Sequence, residues 1–246
     1  MPSLAMRSAQ LASQAPAAVR PRQSVGRRPA RRSCAVRAQQ LDDWAGRQFT
    51  VLSTCQNATA HLAAQLAGGR KPGDAYCLKG DARAGMSEFC QGFVRAAHGN
   101  PGMDVPSPSP SLVPACYDSG SGPLLLHWSL AGLQQPGPAE CDELVNSFLG
   151  AVSLIESAEQ LRQWGAAPEQ RLALYFRRLP SSPDSEARLV SVVPHTGAWE
   201  QRVALLRANL AREGPTAGLV VLSDNMALEM LSGLPESEFL LASATR

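Results

Sequence analysis

Lysine is nearly missing from this chain: only Lys71 and Lys79 occur in 246 residues, and arginine supplies the other basic groups. No acidic residue precedes Asp42. No run of 18 apolar residues occurs, and the longer ones, such as Leu124-Leu125-Leu126, are of strand length, which excludes a membrane-spanning helix. There is no Cys-x-x-Cys pair, and the four histidines (His61, His98, His127, His195) are scattered. That spacing supports neither a zinc site nor a disulfide framework, and buried free thiols in a reducing compartment are the expected state. Aromatic residues make only 5% of the chain, with no interleaved aromatic and basic array of the kind that stacks on single-stranded RNA.

The apolar share of 44% against 18% charged residues is an ordinary globular balance. The net charge of +2 divides unevenly: residues 1–41 hold eight arginines and no acid, whereas residues 42–246 hold 15 basic against 21 acidic residues. The first segment, rich in Ala, Ser, Arg and Pro and without a secretory apolar stretch, reads as an organelle transit peptide over residues 1–38. Val36-Arg37-Ala38 is similar to a stromal processing site, so the chloroplast stroma is the expected destination and the mitochondrial matrix the alternative. A basic arm for nucleic acid is the other reading. The remainder is net acidic, and neither a membrane nor DNA is an expected partner.

Beyond the leader, apolar periodicity predicts strands at 48–52, 75–78, 111–117, 124–128, 151–155, 172–176 and 189–193. The first suits an edge strand. Helices are predicted at about 56–66 (capped by Ser53 or Thr54), 87–98, 138–148 and 199–211. From Gly214 the chain reads as a tail with one weak helix, Asn225–Leu231 capped by Asp224. Two strand pairs look like hairpins, 111–117 with 124–128 and 172–176 with 189–193. The expected class is α/β with a mixed sheet containing antiparallel pairs, with a main domain over 45–205 and a C-terminal extension over 206–246, partly helical or disordered.

Strand, glycine loop and helix meet at Gly80-Asp81-Ala82-Arg83-Ala84-Gly85-Met86-Ser87. The spacing Gly-x-x-x-x-Gly-x-Ser is that of a phosphate-binding loop. Such a loop turns main-chain N–H groups toward phosphate oxygens at a helix N-terminus, and Ser87 stands where a hydroxyl would meet magnesium. Met86 stands where a lysine is needed, and a thioether carries no charge for the β- and γ-phosphates. Arg83 lies in the loop and offers a substitute cation. His127 and Trp128 read as sheet packing, and Arg177-Arg178 as a solvated edge. Ser107, Ser109 and Ser111 read either as a sensor of the terminal phosphate or as plain loop residues.

Further blocks flank the loop: Pro72-Gly73-Asp74 before it, and Phe89-x-x-Gly92-Phe93, Val105-Pro106-Ser107-Pro108-Ser109-Pro110-Ser111-Leu112-Val113, His127-Trp128-Ser129-Leu130-Ala131-Gly132-Leu133 and Leu154-Ile155-Glu156-Ser157-Ala158-Glu159 after it. In order and spacing, over roughly 48–205, the chain resembles the TsaE (YjeE-type) P-loop ATPases of tRNA threonylcarbamoyladenosine (t6A) biosynthesis. Their corresponding blocks read Pro-Gly-Asp, Gly-Asp-Leu-Gly-Ala-Gly-Lys-Thr, Phe-x-x-Gly-Phe, Val-x-Ser-Pro-Thr-aromatic-x-Leu-Val, His-x-Asp-x-Tyr-Arg-Leu and Leu-Ile-Glu-Trp-Pro-Glu.

The resemblance implies a P-loop NTPase-like three-layer fold, ATP and Mg as cofactors, and TsaD and TsaB-like proteins as partners with an indirect link to tRNA. It places the nucleotide on Gly80, Asp81, Ala82, Arg83, Ala84, Gly85, Met86 and Ser87, the metal on Ser87 and Glu156, and the catalytic carboxylate on Glu156. The chain departs from the pattern at Met86 for lysine, Ser129 for the metal-side aspartate, Ser157 for tryptophan, Pro110 for the loop aromatic and Ala131-Gly132 for Tyr-Arg. Hydrolysis is expected to be impaired by the loss of the lysine, and two function classes follow: a working ATPase that uses Arg83 as substitute cation with a metal on Ser87 and Glu156, or a non-hydrolysing scaffold that keeps only a partner surface. An unrelated P-loop-like module without nucleotide is the third.

Overall fold

A computed structural model describes residues 47–231 except 180, 181 and 183. The leader and the chain after Leu231 lie outside the described residues. The eight strands are β1 (Phe49–Ser53), β2 (Ala75–Gly80), β3 (Ala115–Tyr117), β4 (Leu125–Ser129), β5 (Val152–Glu156), β6 (Arg171–Arg178), β7 (Arg188–Pro194) and β8 (Leu219–Leu222). They form one sheet in the order β3-β4-β5-β2-β6-β7-β1-β8. The centre is parallel, β4 to β5, β5 to β2 and β2 to β6, and the flanks are antiparallel. Both expected antiparallel pairs are present, as β3–β4 and β6–β7.

Strand alternation sorts the side chains onto two helical layers. Tyr76, Leu78, Val152 and Leu154 face helices α1 (Gln56–Ala67), α2 (Met86–His98) and α5 (Gly197–Glu213). Cys77, Leu126, Trp128 and Ile155 face α3 (Pro138–Gly150) and the short α4 (Glu159–Gln163). Helix α5 buries Trp199, Val203, Leu206 and Leu210, which recur at helical spacing. Gly92 is required where α1 crosses α2, since a Cβ there would lie 2.7 Å from the Ala60 Cα.

A further polar clamp holds the first layer. Arg202 donates to both Asp74 oxygens at 2.8 and 2.9 Å and to the Gly69 carbonyl at 2.9 Å. Its guanidinium also stacks 3.8 Å from the Trp199 ring centroid.

Several expectations need correction. β1 is not an edge: β8 pairs with it along Thr50–Ser53, so the segment after Gly214 adds a strand as well as a helix, α6 (Asp224–Leu231). The signal for β8 was the apolar run Leu219-Val220-Val221-Leu222 between Gly218 and Ser223. The 111–117 strand forms only over Ala115–Tyr117, because Pro110 and Pro114 lack the N–H a ladder needs. Arg177 and Arg178 end the interior strand β6, paired with β7 on one side and, past the last β2 partner at Phe176, met by Asp81 of the loop on the other, so they are not a solvated edge. Helix α1 is preceded by Cys55 without a side-chain cap. Ser53 instead donates to the Cys55 carbonyl and shares a 2.8 Å bond with Thr59, and Thr54 donates to the Gly218 carbonyl. At α6 the Met226 N–H reaches the Ser223 hydroxyl, so Ser223 and not Asp224 caps that helix.

Candidate nucleotide and metal site

The loop leaves the carboxyl end of β2, where a parallel sheet presents its ligand crevice. Gly80 has φ +140°, and a Cβ there would lie 2.0 Å from the Phe176 carbonyl oxygen, so no other residue fits. The chain then closes a turn, with the Ala84 N–H donating to the Asp81 carbonyl at 3.1 Å. Ala84 is fully buried and anchors the loop in the core. Gly85 has φ +101°, which sends the chain into α2. The first helical bond runs from the Phe89 N–H to the Gly85 carbonyl. The preceding amides of Met86, Ser87 and Glu88 therefore open the helix without helical acceptors, as an anion nest requires.

The side chains of the loop take separate paths. Asp81 turns to β6, accepting from the Arg178 N–H at 3.3 Å and pairing with Arg177 at 3.6 Å. Ala82 and Arg83 are exposed. Arg83 has φ +61°, a left-handed conformation, at the place where the Gly-Asp-Leu-Gly-Ala-Gly pattern carries its second glycine. Met86 packs its thioether on the main core. Lys79 lies 5.4 Å from the Tyr175 ring centroid and takes no part in the loop.

Arg188, which sequence reasoning did not single out, holds the loop from β7. It donates to the Arg83 carbonyl at 3.4 Å and to the carbonyls of Ser185 and Ala187, and its Cγ lies 3.8 Å from an ideal Cβ on Gly85.

Behind the loop, four groups meet. Alternation along β4 and β5 puts His127, Ser129 and Glu156 on the face covered by α2, with Ser129 opposite Glu156 in register. Ser87 donates to Glu156 Oε2 at 3.0 Å, and His127 Nε2 meets Glu156 Oε1 at 2.8 Å. Cys90, one helical turn beyond Ser87, completes the group: a ligand atom from each of Cys90, His127 and Glu156 lies within 4.8 Å of the others. All three residues are buried. Burial first, then the Glu156 carboxylate, holds the Cys90 thiol well above its ordinary range. The structure thus brings Ser87 and Glu156 together, with Cys90 and His127 beside them. The i, i+3 step from Ser87 to Cys90 was the signal for the cysteine. The serine loop reaches the same end of the sheet, because the Ser111 N–H donates to the Ser129 carbonyl at 3.0 Å.

Residues 53–185, more than half of the chain, match the family described as threonylcarbamoyl adenosine biosynthesis protein TsaE. The chain belongs to the TsaE family. The crystal structure of YdiB from Bacillus subtilis has the same fold, with a TM-score of 0.51 and 22% identity over 68% of this chain and 96% of that one. No curated protein matches the sequence. The family is one of ATP-binding, magnesium-dependent P-loop proteins, and membership in it points to a role in t6A biosynthesis. Among the described residues, no helix is long and apolar enough to cross a membrane.

The geometry suits phosphate better than it suits magnesium. The loop amides and the helix start are placed for anionic oxygens. A hard dication wants several oxygen donors. Here Glu156 is the one carboxylate of the cluster, both its oxygens already accept hydrogen bonds, and Ser129 offers only a hydroxyl. The remaining donors are a sulfur and an imidazole nitrogen.

Proposed function

We propose that this protein is a nucleotide-binding TsaE component of the t6A pathway whose ATP hydrolysis is impaired, and that it acts beside TsaD- and TsaB-like proteins. The observation that carries this reading is the loop itself. Its wrapped backbone is kept by Gly80 and Gly85, while the position of the phosphate-binding lysine is taken by Met86, packed on the core.

Each element has a definite task. The amides of Met86, Ser87 and Glu88, with the partial positive charge of the α2 N-terminus, hold phosphate oxygens. Arg188 fixes the Arg83 carbonyl and so the loop's outer limb. Ser87 orients Glu156, and His127 holds the second carboxylate oxygen. No side chain on the loop supplies the ammonium that balances charge developing on a transferred phosphoryl group. Loss of one pre-organised stabiliser costs about 2.7–4 kcal/mol in the transition state. Two such losses, at Met86 and Ser129, slow turnover by about a thousandfold or more.

The acid-free, arginine-rich leader supports import into the chloroplast stroma, with the mitochondrial matrix as the second destination. The arrangement in the pathway is tested with purified protein, mixed or not with TsaD and TsaB partners, in ATP-binding and ATP-turnover assays. Measurable binding with turnover at least about a thousandfold below a lysine-bearing relative is expected. Turnover equal to that relative overturns the impairment. Failure to associate with the partners overturns the pathway role.

A further inference from the structure

From the buried cluster behind the loop we infer that Cys90, His127 and Glu156 form a zinc-type metal site, distinct in chemistry from a magnesium–nucleotide site. Scattered histidines and the absence of a Cys-x-x-Cys pair gave no such expectation. The fold assembles the ligands from three elements: Cys90 from α2, His127 from β4 and Glu156 from β5.

Sulfur, imidazole nitrogen and carboxylate oxygen are the donors that a borderline-soft, four-coordinate dication selects, with bonds of roughly 2.0–2.3 Å. Such bonds place neighbouring ligand atoms roughly 3.3–3.8 Å apart. The three donors already lie within 4.8 Å of one another, so small side-chain rotations close the shell. Ser87 Oγ, 3.0 Å from Glu156 Oε2, lies beside the cluster on the loop side.

Charge favours the same ion. On binding, the dication displaces the thiol proton of Cys90, which leaves to solvent. His127 offers a ring-nitrogen lone pair and Glu156 a carboxylate oxygen. The thiolate and the carboxylate then cancel the dication, leaving no net charge in a buried place. Magnesium, which does not draw a thiolate, leaves an uncompensated positive charge there.

The test uses the full chain, stripped with chelator and titrated with cobalt(II) and with zinc(II) alone, without nucleotide. The expected result is one cobalt per chain, with a thiolate-to-cobalt charge-transfer band and the visible d–d bands of tetrahedral coordination, displaced by one zinc. Cys90→Ala removes the charge-transfer band and weakens zinc by more than the roughly 10–100-fold that outer partners contribute, while Cys77→Ala keeps both. Should Cys90→Ala fail to fold, X-ray absorption of the zinc-loaded native chain decides, one sulfur with nitrogen and oxygen neighbours being the expected shell. No retained metal at equimolar loading, a band that persists without Cys90, an all-oxygen-and-nitrogen shell, or zinc displaced by millimolar magnesium each overturns the site. Because no nucleotide enters these measurements, they stand whether or not the proposed ATP binding holds.

Discussion

Replacing Met86 by lysine tests whether the loop gathers phosphate, since the surrounding backbone is already in place. Met86 opens α2 and packs partly on the core, so the substitution has a cost before any ligand arrives. Losing that apolar contact removes about 1 kcal/mol. A cation in the first turn opposes the helix dipole by about 0.3–1 kcal/mol more. The apo variant should therefore melt about 3–8 °C below the native protein, taking about 2–4 °C per kcal/mol for a chain of this size. ATP binding should move the other way. A charge-assisted bond to phosphate contributes about 1.5–3 kcal/mol, which tightens ATP about 10- to 150-fold. Calorimetric titration of native and Met86→Lys proteins, each verified as folded, reads that ratio directly. Turnover should remain low in the single variant because Ser129 still lacks a carboxylate. Adding Ser129→Asp should raise it about a hundredfold or more. A folded Met86→Lys protein with ATP affinity within twofold of native would mean that the Gly80–Ser87 backbone does not wrap phosphate, and the proposed function would fall with it.

Arg83→Gly should stabilise the protein. Relief of a left-handed arginine at φ +61° yields about 1–2 kcal/mol, offset in part by the glycine entropy of the unfolded chain, for a net gain of about 0.5–1 kcal/mol in urea unfolding. A loss of stability would show that the arginine side chain is held by something other than its backbone. Arg202→Ala should cost about 2–4 kcal/mol, since it strands the largely buried Asp74, whose two oxygens the guanidinium occupies. A cost under 1 kcal/mol would reduce that clamp to an ordinary surface pair. His195 is driven down to about 3 by burial and then by the Arg171 guanidinium, which donates to its Nδ1 at 3.3 Å. Its folded value lies below the unfolded one, so its contribution is whole above about pH 6.5 and declines as the pH falls toward 3, where the unfolded chain binds the proton first. The slope from this group stays below about 1.4 kcal/mol per pH unit. His195→Gln should flatten that part of the stability profile, and an unchanged profile would refute the assignment.

What could be read from the sequence and what could not divides along the range of the interactions involved. The central strands and the four long helices were legible because local periodicity and burial agree there: residues 75–78 are buried on both faces, and the strand ends at Gly80, a glycine that only one backbone geometry accepts. The loop conformation followed from glycine spacing for the same reason, whereas the Gly92 crossing emerged only with the packing of the two helices. β8 was missed because four apolar residues after Gly218 carry no period, and only the ladder to β1 makes them a strand. Arg177 and Arg178 misled because charge on a strand suggests an edge, whereas here Asp81, nearly a hundred residues earlier, neutralises the pair's environment from the loop. The metal cluster was out of reach on different grounds. Cys90, His127 and Glu156 are separated by 37 and 29 residues in a chain whose spacing rules describe ligands close in sequence. Their convergence depends on two strands being parallel neighbours and on α2 crossing that end of the sheet, which is a property of topology. The same topology ties the two halves of the site together. Ser87 belongs at once to the amide nest and, through its 3.0 Å bond to Glu156, to the carboxylate cluster. An ion seated on that cluster would engage the hydroxyl at the mouth of the phosphate loop. Loss of the lysine and the aspartate therefore does not empty the site: the floor of the P-loop sets a sulfur and a nitrogen beside its one carboxylate.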